Sequence, residues 1–119
     1  MGIFMKNIDS LKNYSEFKKV YDNGKSYANK YLVMYVIRNE ENRQRLGISV
    51  SKKVGNSVVR HRLTRLVRES FRLNMNLLSS GLSIVVVGRA AAKGSNYREI
   101  ESAFIHLCKL HGIINSKGI

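Results

Sequence analysis

The stretch from Val50 to Arg72 reads VSKKVGNSVVRHRLTRLVRESFR, and the rest of the chain is organised around it. Gly55-Asn56 breaks the preceding strand-like run and offers Asn56 as a helix N-cap. No Gly or Pro follows until Gly81, so the spacing predicts a helix from about Ser57 to about Asn74. At about 100° per residue the side chains sort into two halves. Val59, Leu63, Leu66, Val67, Ser70 and Leu73 fall on one side, which is expected to bury against a core. Arg60, His61, Thr64, Arg65, Arg68 and Arg72 fall on the other, with Arg62 at its margin. Only Glu69 lies near enough to offset this ridge of guanidinium groups. Like charges one turn apart destabilise an isolated helix by a few tenths of a kcal/mol per pair, so the anions are expected from outside the chain. Arginine outnumbers lysine here, which suits bidentate contact with phosphate oxygens. Lys52 and Lys53, just ahead of the helix N-terminus, add to an anion site.

Length and charge agree with that reading. The 119 residues suit a single domain, with 1–9 and 113–119 expected as loose tails. Lys and Arg number 21 against 8 Asp and Glu, a formal net charge of +13, which favours a polyanionic partner. A membrane is the weaker alternative. The longest apolar run, Tyr31 to Ile37, falls far short of the roughly 20 residues a spanning helix needs. The single cysteine, Cys108, has no internal disulfide partner and reads as a small buried apolar residue, so a reducing cytoplasm is expected. The opening MGIFMKN lacks the hydrophobic region of a signal peptide, and Met5 is a second candidate start.

The flanking segments supply the other layers. Asn13 to Asn23 reads as a short helix with Asn13 and Glu16 at capping-box spacing and Gly24 as its stop. Tyr14, Phe17, Val20 and Tyr21 share one stripe, whose ordinary reading is core-facing. Gly24 to Lys30 is a polar connector with room for a very short strand. Tyr31 to Arg38 (YLVMYVIR) is a strand with two apolar faces. Tyr31, Val33, Tyr35 and Ile37 line one face; Leu32, Met34 and Val36 line the other. Either helices cover both faces, or one face is an apolar groove whose tyrosines can stack bases. Leu46 to Ser51 is the next strand, close enough to pair with the first as an antiparallel hairpin across the polar turn Asn39 to Arg43. Ser83 to Val87 reads as a buried central strand, and Ala90 to Gly94 as a small-residue loop. Asn96 and Glu99 cap a last helix that runs to about His111 and buries Ile100, Ala103, Phe104, Leu107 and Cys108. The order is an α/β (α+β) two-layer sandwich, αβββαβα, with helices on a small mixed sheet.

The string SVSKKVGNSVVRHRLTRLVRESFR resembles the signature of the bacterial ribonuclease P protein subunit family, which carries an Arg-Asn-Arg motif with further arginines at helical spacing. FKKVYDNGKSYANKYLVMYV, residues 17–36, is similar to the family's N-terminal half. His61 stands where the family usually has Asn, and Thr64 where it often has Lys. The resemblance implies a strand–helix–strand crossover of left-handed sense, as in a domain of a small-subunit ribosomal protein, an exception to the usual rule. It also implies two surfaces. Lys52, Lys53, Asn56, Arg60, His61, Arg62, Arg65, Arg68 and Arg72 would dock on the ribonuclease P RNA. Phe17, Tyr21, Val33 and Tyr35 would line a cleft for the single-stranded 5′ leader of precursor tRNA. The implied holoenzyme removes that leader, with one protein per RNA and with Mg²⁺ held mainly by the RNA.

The residues themselves offer no obvious nuclease site. A protein nuclease needs clustered carboxylates for metal or a His-based acid and base. Glu40-Glu41 lies in a turn, and Glu99 and Glu101 diverge on a helix. His61 reads as an RNA contact, while His106 and His111 are expected at the surface. One cysteine cannot make a zinc site. No catalytic or metal-ligating residue is therefore expected in the protein. A ribosomal or RNA-chaperone protein and a stand-alone nuclease are the two alternative readings.

Overall fold

The computed structural model describes residues 8–115. The elements are β1 (Asp9–Ser10), α1 (Tyr14–Asn23), β2 (Lys25–Ala28), β3 (Leu32–Arg38), β4 (Gln44–Ser49), α2 (Ser57–Asn74), β5 (Leu82–Gly88) and α3 (Tyr97–His111). Short 3-10 turns, Met75–Leu77 and Ala90–Ala92, flank β5. This is an α+β chain whose five strands form one mixed sheet in the order β1-β4-β5-β3-β2.

The expected hairpin between the third and fourth strands is absent. β5 inserts between them, antiparallel to β3 and parallel to β4. The reason lies in composition. Leu82, Ser83, Ile84, Val85 and Val86 are all buried, so β5 needs a partner on each edge and cover on each face. Segment 39–43 is then a link over the end of β5. Asn39 N–H donates to Gly81 O at 2.8 Å, and Asn42 takes the left-handed conformation with φ 54°.

The main core lies between the sheet and the α2–α3 pair. Leu32, Met34, Leu46, Ile84 and Val86 point into it, against Leu63, Val67 and Phe71 of α2 and Ile100, Phe104 and Leu107 of α3. Phe71 and Phe104 meet edge-on with ring centroids 6.3 Å apart, an arrangement worth about 0.5–1.5 kcal/mol beyond the area it buries. The five α3 residues expected in the core are all buried there. On α2 the stripe differs at its end. Phe71, one turn beyond Val67, is fully buried, whereas Leu73 is 53% exposed. Among the described residues the opposite face of the sheet carries only α1, which closes a smaller cluster of Leu11, Val20 and Val85.

The chain ends are more ordered than expected within the described range. Asp9 and Ser10 pair in parallel with Arg45 and Leu46. Ile113 is buried, Ile114 bridges Leu78, and Asn115 N–H donates to Leu77 O at 2.6 Å. The rest of the expected tails, residues 1–7 and 116–119, falls outside the described residues.

Candidate nucleic-acid interface

The ridge is built by the entry to α2. Asn56 caps the helix, its side chain accepting from Val59 N–H at 3.0 Å. Val54 is buried and anchors the incoming turn, leaving Lys52 and Lys53 exposed. A Cβ on Gly55 would lie 2.8 Å from Val59 Cγ1, so only glycine lets the turn approach the helix this closely.

The basic residues are not equivalent. Arg72 makes a two-pronged pair with Glu69, Nε to Oε1 at 3.0 Å. That pairing lowers the Glu69 pKa and neutralises the far end of the ridge. Arg62 donates to Ser95 O at 2.8 Å, which pins the start of α3 against α2. Arg60 is half-buried, and its backbone carbonyl accepts from the Thr64 hydroxyl. His61, Arg65 and Arg68 stand exposed, and neither Arg65 nor Arg68 has a carboxylate partner among the described residues. They carry uncompensated charge at the centre of the ridge.

The second surface lies on the other face of the sheet. Phe17 packs over Gly47, where an added Cβ would sit 2.7 Å from Phe17 Cζ. Its ring centroid is 6.4 Å from that of Tyr21, and Tyr21 meets Tyr35 edge-on at 4.9 Å. Val33 and Tyr35 are half-buried, and Tyr21 is 36% exposed. Register keeps the trough open: Ala28 lies opposite Val33, and Ser26 opposite Tyr35. Small side chains on β2 cannot cover the floor, and α1 covers only the far side. All four expected cleft residues are thus brought together. Tyr14 is not with them; it is 78% exposed at the first turn of α1. Tyr31 also leaves the face of Val33. Asn29 Oδ1 accepts from both Tyr31 and Leu32 N–H groups, and the bend sends the Tyr31 ring to α3, where its hydroxyl donates to Glu99.

Ridge and cleft are on opposite faces, but β4 ties them together. Ser49 sits beside Val87 on the cleft side, and segment 50–56 then leads directly into α2.

Among the described residues all the acidic side chains but the exposed Glu40 have structural partners. Glu16 closes the α1 capping box, accepting from Lys12 N–H at 2.7 Å and from Arg45 at 2.8 Å. The Lys12 N–H first, then Arg45 and the Asn13 N–H, hold its pKa down at about 2. Glu99 closes the α3 box, and Glu101 accepts from Tyr97 and Asn74. Asp9 and Glu41 face Arg43, and Asp22 faces Lys18. Among the described residues no three His, Cys, Asp or Glu converge to hold a metal ion. Gly24 is the stop expected for α1, in extended conformation with φ −84°; its role is close approach, since a Cβ would meet Val20 O at 2.5 Å. His111 is also not a simple surface residue. Its Nε2 lies 2.9 Å from Met34 O, its ring meets Tyr27 edge-on, and burial lowers its pKa. Cys108 is buried as expected, and burial pushes its thiol up to about 12.

Sequence reasoning missed Arg45 and Tyr97. Arg45 clamps α1 to the sheet through Glu16 and Ser10 O, across a separation no periodicity reveals. Tyr97 lies beside the ridge, where Arg62 holds the preceding loop against α2.

Among the described residues no helix is long and apolar enough to cross a membrane. The family profile for ribonuclease P matches residues 5–111. The ribonuclease P protein component of Lachnoclostridium phytofermentans is 67% identical over 108 residues, covering 91% of this chain and 93% of the relative. That of Alkaliphilus oremlandii is 46% identical, covering 94% and 98%. The solved RNase P protein of Staphylococcus aureus is 34% identical and superposes with a TM-score of 0.84, covering 92% of this chain and all of the other. The Thermotoga maritima protein is 30% identical with a TM-score of 0.78, covering 86% and 96%. With its sequence matched along nearly the whole length and its fold shared with solved members, the chain belongs to the ribonuclease P protein component family.

Proposed function

We propose that this protein docks on ribonuclease P RNA through the α2 ridge and holds the 5′ leader of precursor tRNA in the Phe17–Tyr21–Val33–Tyr35 cleft. Family membership makes it part of an endoribonuclease that works with that RNA. The finer reading rests on one observation above all: Arg65 and Arg68 project from a rigid, capped helix with no carboxylate partner among the described residues. Phosphate supplies what they lack, in the bidentate geometry guanidinium prefers. Lys52, Lys53, Arg60, His61 and Arg62 extend the contact toward the helix N-terminus, while Arg72, paired with Glu69, marks its far end.

The cleft suits a single strand better than a duplex. It is an apolar trough edged by tyrosines, and aromatic faces stack any base without reading its identity. In this reading the RNA subunit performs the phosphodiester hydrolysis and holds most of the Mg²⁺. The acidic side chains engaged by Arg, Lys and backbone groups fit a protein that contributes binding. One protein joins one RNA, in the cytoplasm. The protein's contribution is then substrate affinity and a lower Mg²⁺ requirement.

Precursor tRNAs with leaders of increasing length test this. Bound to the holoenzyme, they gain affinity with each leader nucleotide until the cleft is filled, and Tyr21→Ala with Tyr35→Ala flattens that dependence. Affinity that ignores leader length would remove the cleft assignment and favour a general RNA-binding protein.

A further inference from the structure

Beside the ridge lies a trough that phosphate contact alone does not require. It runs along α2 toward the first turn of α3 and is lined by Val58, Leu66 and Tyr97, by His61, Arg62, Arg65 and Arg68, and by Glu69, whose charge is met by Arg72. Val58 is the odd residue. It is 74% exposed on the first turn of α2, next to the exposed His61 and Arg62. Leu66, two turns on, is half-buried and continues the same apolar strip. The Tyr97 ring is held in place from behind. Its hydroxyl donates to Glu101 Oε2 at 2.9 Å, and the same carboxylate oxygen accepts from Asn74 at 3.0 Å. Burial and that carboxylate push the Tyr97 pKa up to about 12, so the hydroxyl stays a donor and the ring stays anchored. One wall is equally preset, because Arg62 is fixed on Ser95 O.

A fixed aromatic ring and an apolar strip, fringed by guanidinium groups, match a nucleobase flanked by its own phosphates. A base inside a duplex cannot reach such a floor, since its faces are stacked. We propose that the trough takes one unpaired nucleobase of the ribonuclease P RNA, seated on Val58, Leu66 and the Tyr97 ring with neighbouring phosphates on Arg62 and Arg65. This deepens the docking role proposed above and rests on it. Docking then has two separable parts. The phosphate part weakens with salt, and the base part does not. The base part also distinguishes an RNA that extrudes a base at the correct place from generic structured RNA.

The test uses transcribed ribonuclease P RNA of the same organism with wild-type protein, Tyr97→Leu, Tyr97→Phe and Val58→Asn. Affinity is measured across a salt series, and base accessibility is read with dimethyl sulfate and carbodiimide. Wild-type protein and Tyr97→Phe protect at least one unpaired base, and Tyr97→Leu leaves it reactive. Tyr97→Leu lowers affinity about tenfold at every salt concentration with the log–log slope unchanged. Val58→Asn, at an exposed position where folding is not at stake, gives a smaller loss in the same direction. Unchanged affinity for both Tyr97→Leu and Val58→Asn overturns the proposal. So does a slope that falls together with affinity, or the absence of any base whose reactivity depends on Tyr97. If wild-type protein does not bind the RNA at all, the docking role falls with it; if it binds and the trough variants match it, only the trough assignment falls.

Discussion

Replacing Gly47 with alanine perturbs the cleft without touching a cationic side chain. The new Cβ would stand 2.7 Å from Phe17 Cζ, 2.8 Å from Cε2 and 3.1 Å from Leu11 Cδ1. Carbon atoms rest at about 3.5–4.0 Å, so the Phe17 ring must withdraw by about 1 Å. Leu11 blocks one direction, and Val20 keeps α1 on the sheet, so the ring swings toward Tyr21. Overpacking of this kind costs about 1–3 kcal/mol, and for a chain of this size each kcal/mol lowers the melting temperature by roughly 3–5 °C. The displaced ring also spoils the stacking surface, a loss of up to about 1–3 kcal/mol for each base it would have held. The assay pairs thermal melting of the protein with holoenzyme binding to precursor tRNA carrying a long leader or none. The variant melts lower, binds long-leader substrate more weakly, binds leaderless substrate like wild type, and keeps its affinity for the RNA subunit. Unchanged melting and unchanged leader affinity would refute the wedge of Phe17 over Gly47. A parallel loss of RNA-subunit affinity would refute the separation of the two surfaces.

Other outcomes follow from the same geometry. Arg65→Glu with Arg68→Glu weakens binding to the RNA subunit and reduces the log–log salt slope by roughly 0.7–0.9 for each lost phosphate contact, measured by a binding series in monovalent salt. An unchanged slope would place the docking face elsewhere. Two titrations act in separate pH windows. Glu16 has a folded pKa of about 2, below its ordinary 4.5, so its contribution is complete above that ordinary value and is lost as pH falls toward 2; Glu16→Gln melts lower than wild type at neutral pH, and the gap closes in acid. His111 has its pKa lowered by burial, so the unfolded chain takes the proton first and stability declines as pH drops below about 6.5; His111→Gln removes that decline from a series of melts.

Much of this architecture is legible in local chemistry. The bounds of α2, the capping pairs Asn13–Glu16 and Asn96–Glu99, and the buried face of α3 all rest on spacings within one or two turns. The ridge is legible for the same reason, since helical geometry fixes which arginines share a face. What sequence does not show is set by distant partners. β5 separates β3 from β4 because its two apolar faces and two edges must all be satisfied, which adjacency in the chain does not encode. Phe71 replaces Leu73 in the core because the buried stripe drifts around α2 and Phe104 supplies the surface it meets. Tyr31 leaves the cleft face because one asparagine bends the strand entry. The cleft was legible as an apolar face of β3, but its shape depends on Gly47 letting the Phe17 ring approach the sheet and on small β2 residues opposite Val33 and Tyr35. Equally, the pairing of Arg72 with Glu69 sorts the ridge into compensated and free charges, a distinction the helical wheel does not make.

The central claim is that the protein supplies binding surfaces to an RNA that carries out cleavage. It is tested most directly by precursor-tRNA cleavage at low Mg²⁺, comparing the transcribed RNA of the same organism alone, this protein alone, and the two together. The account predicts 5′-leader removal only when both are present, with the RNA alone regaining activity at high Mg²⁺. Cleavage by the protein alone would contradict it, as would an active RNA that this protein fails to stimulate.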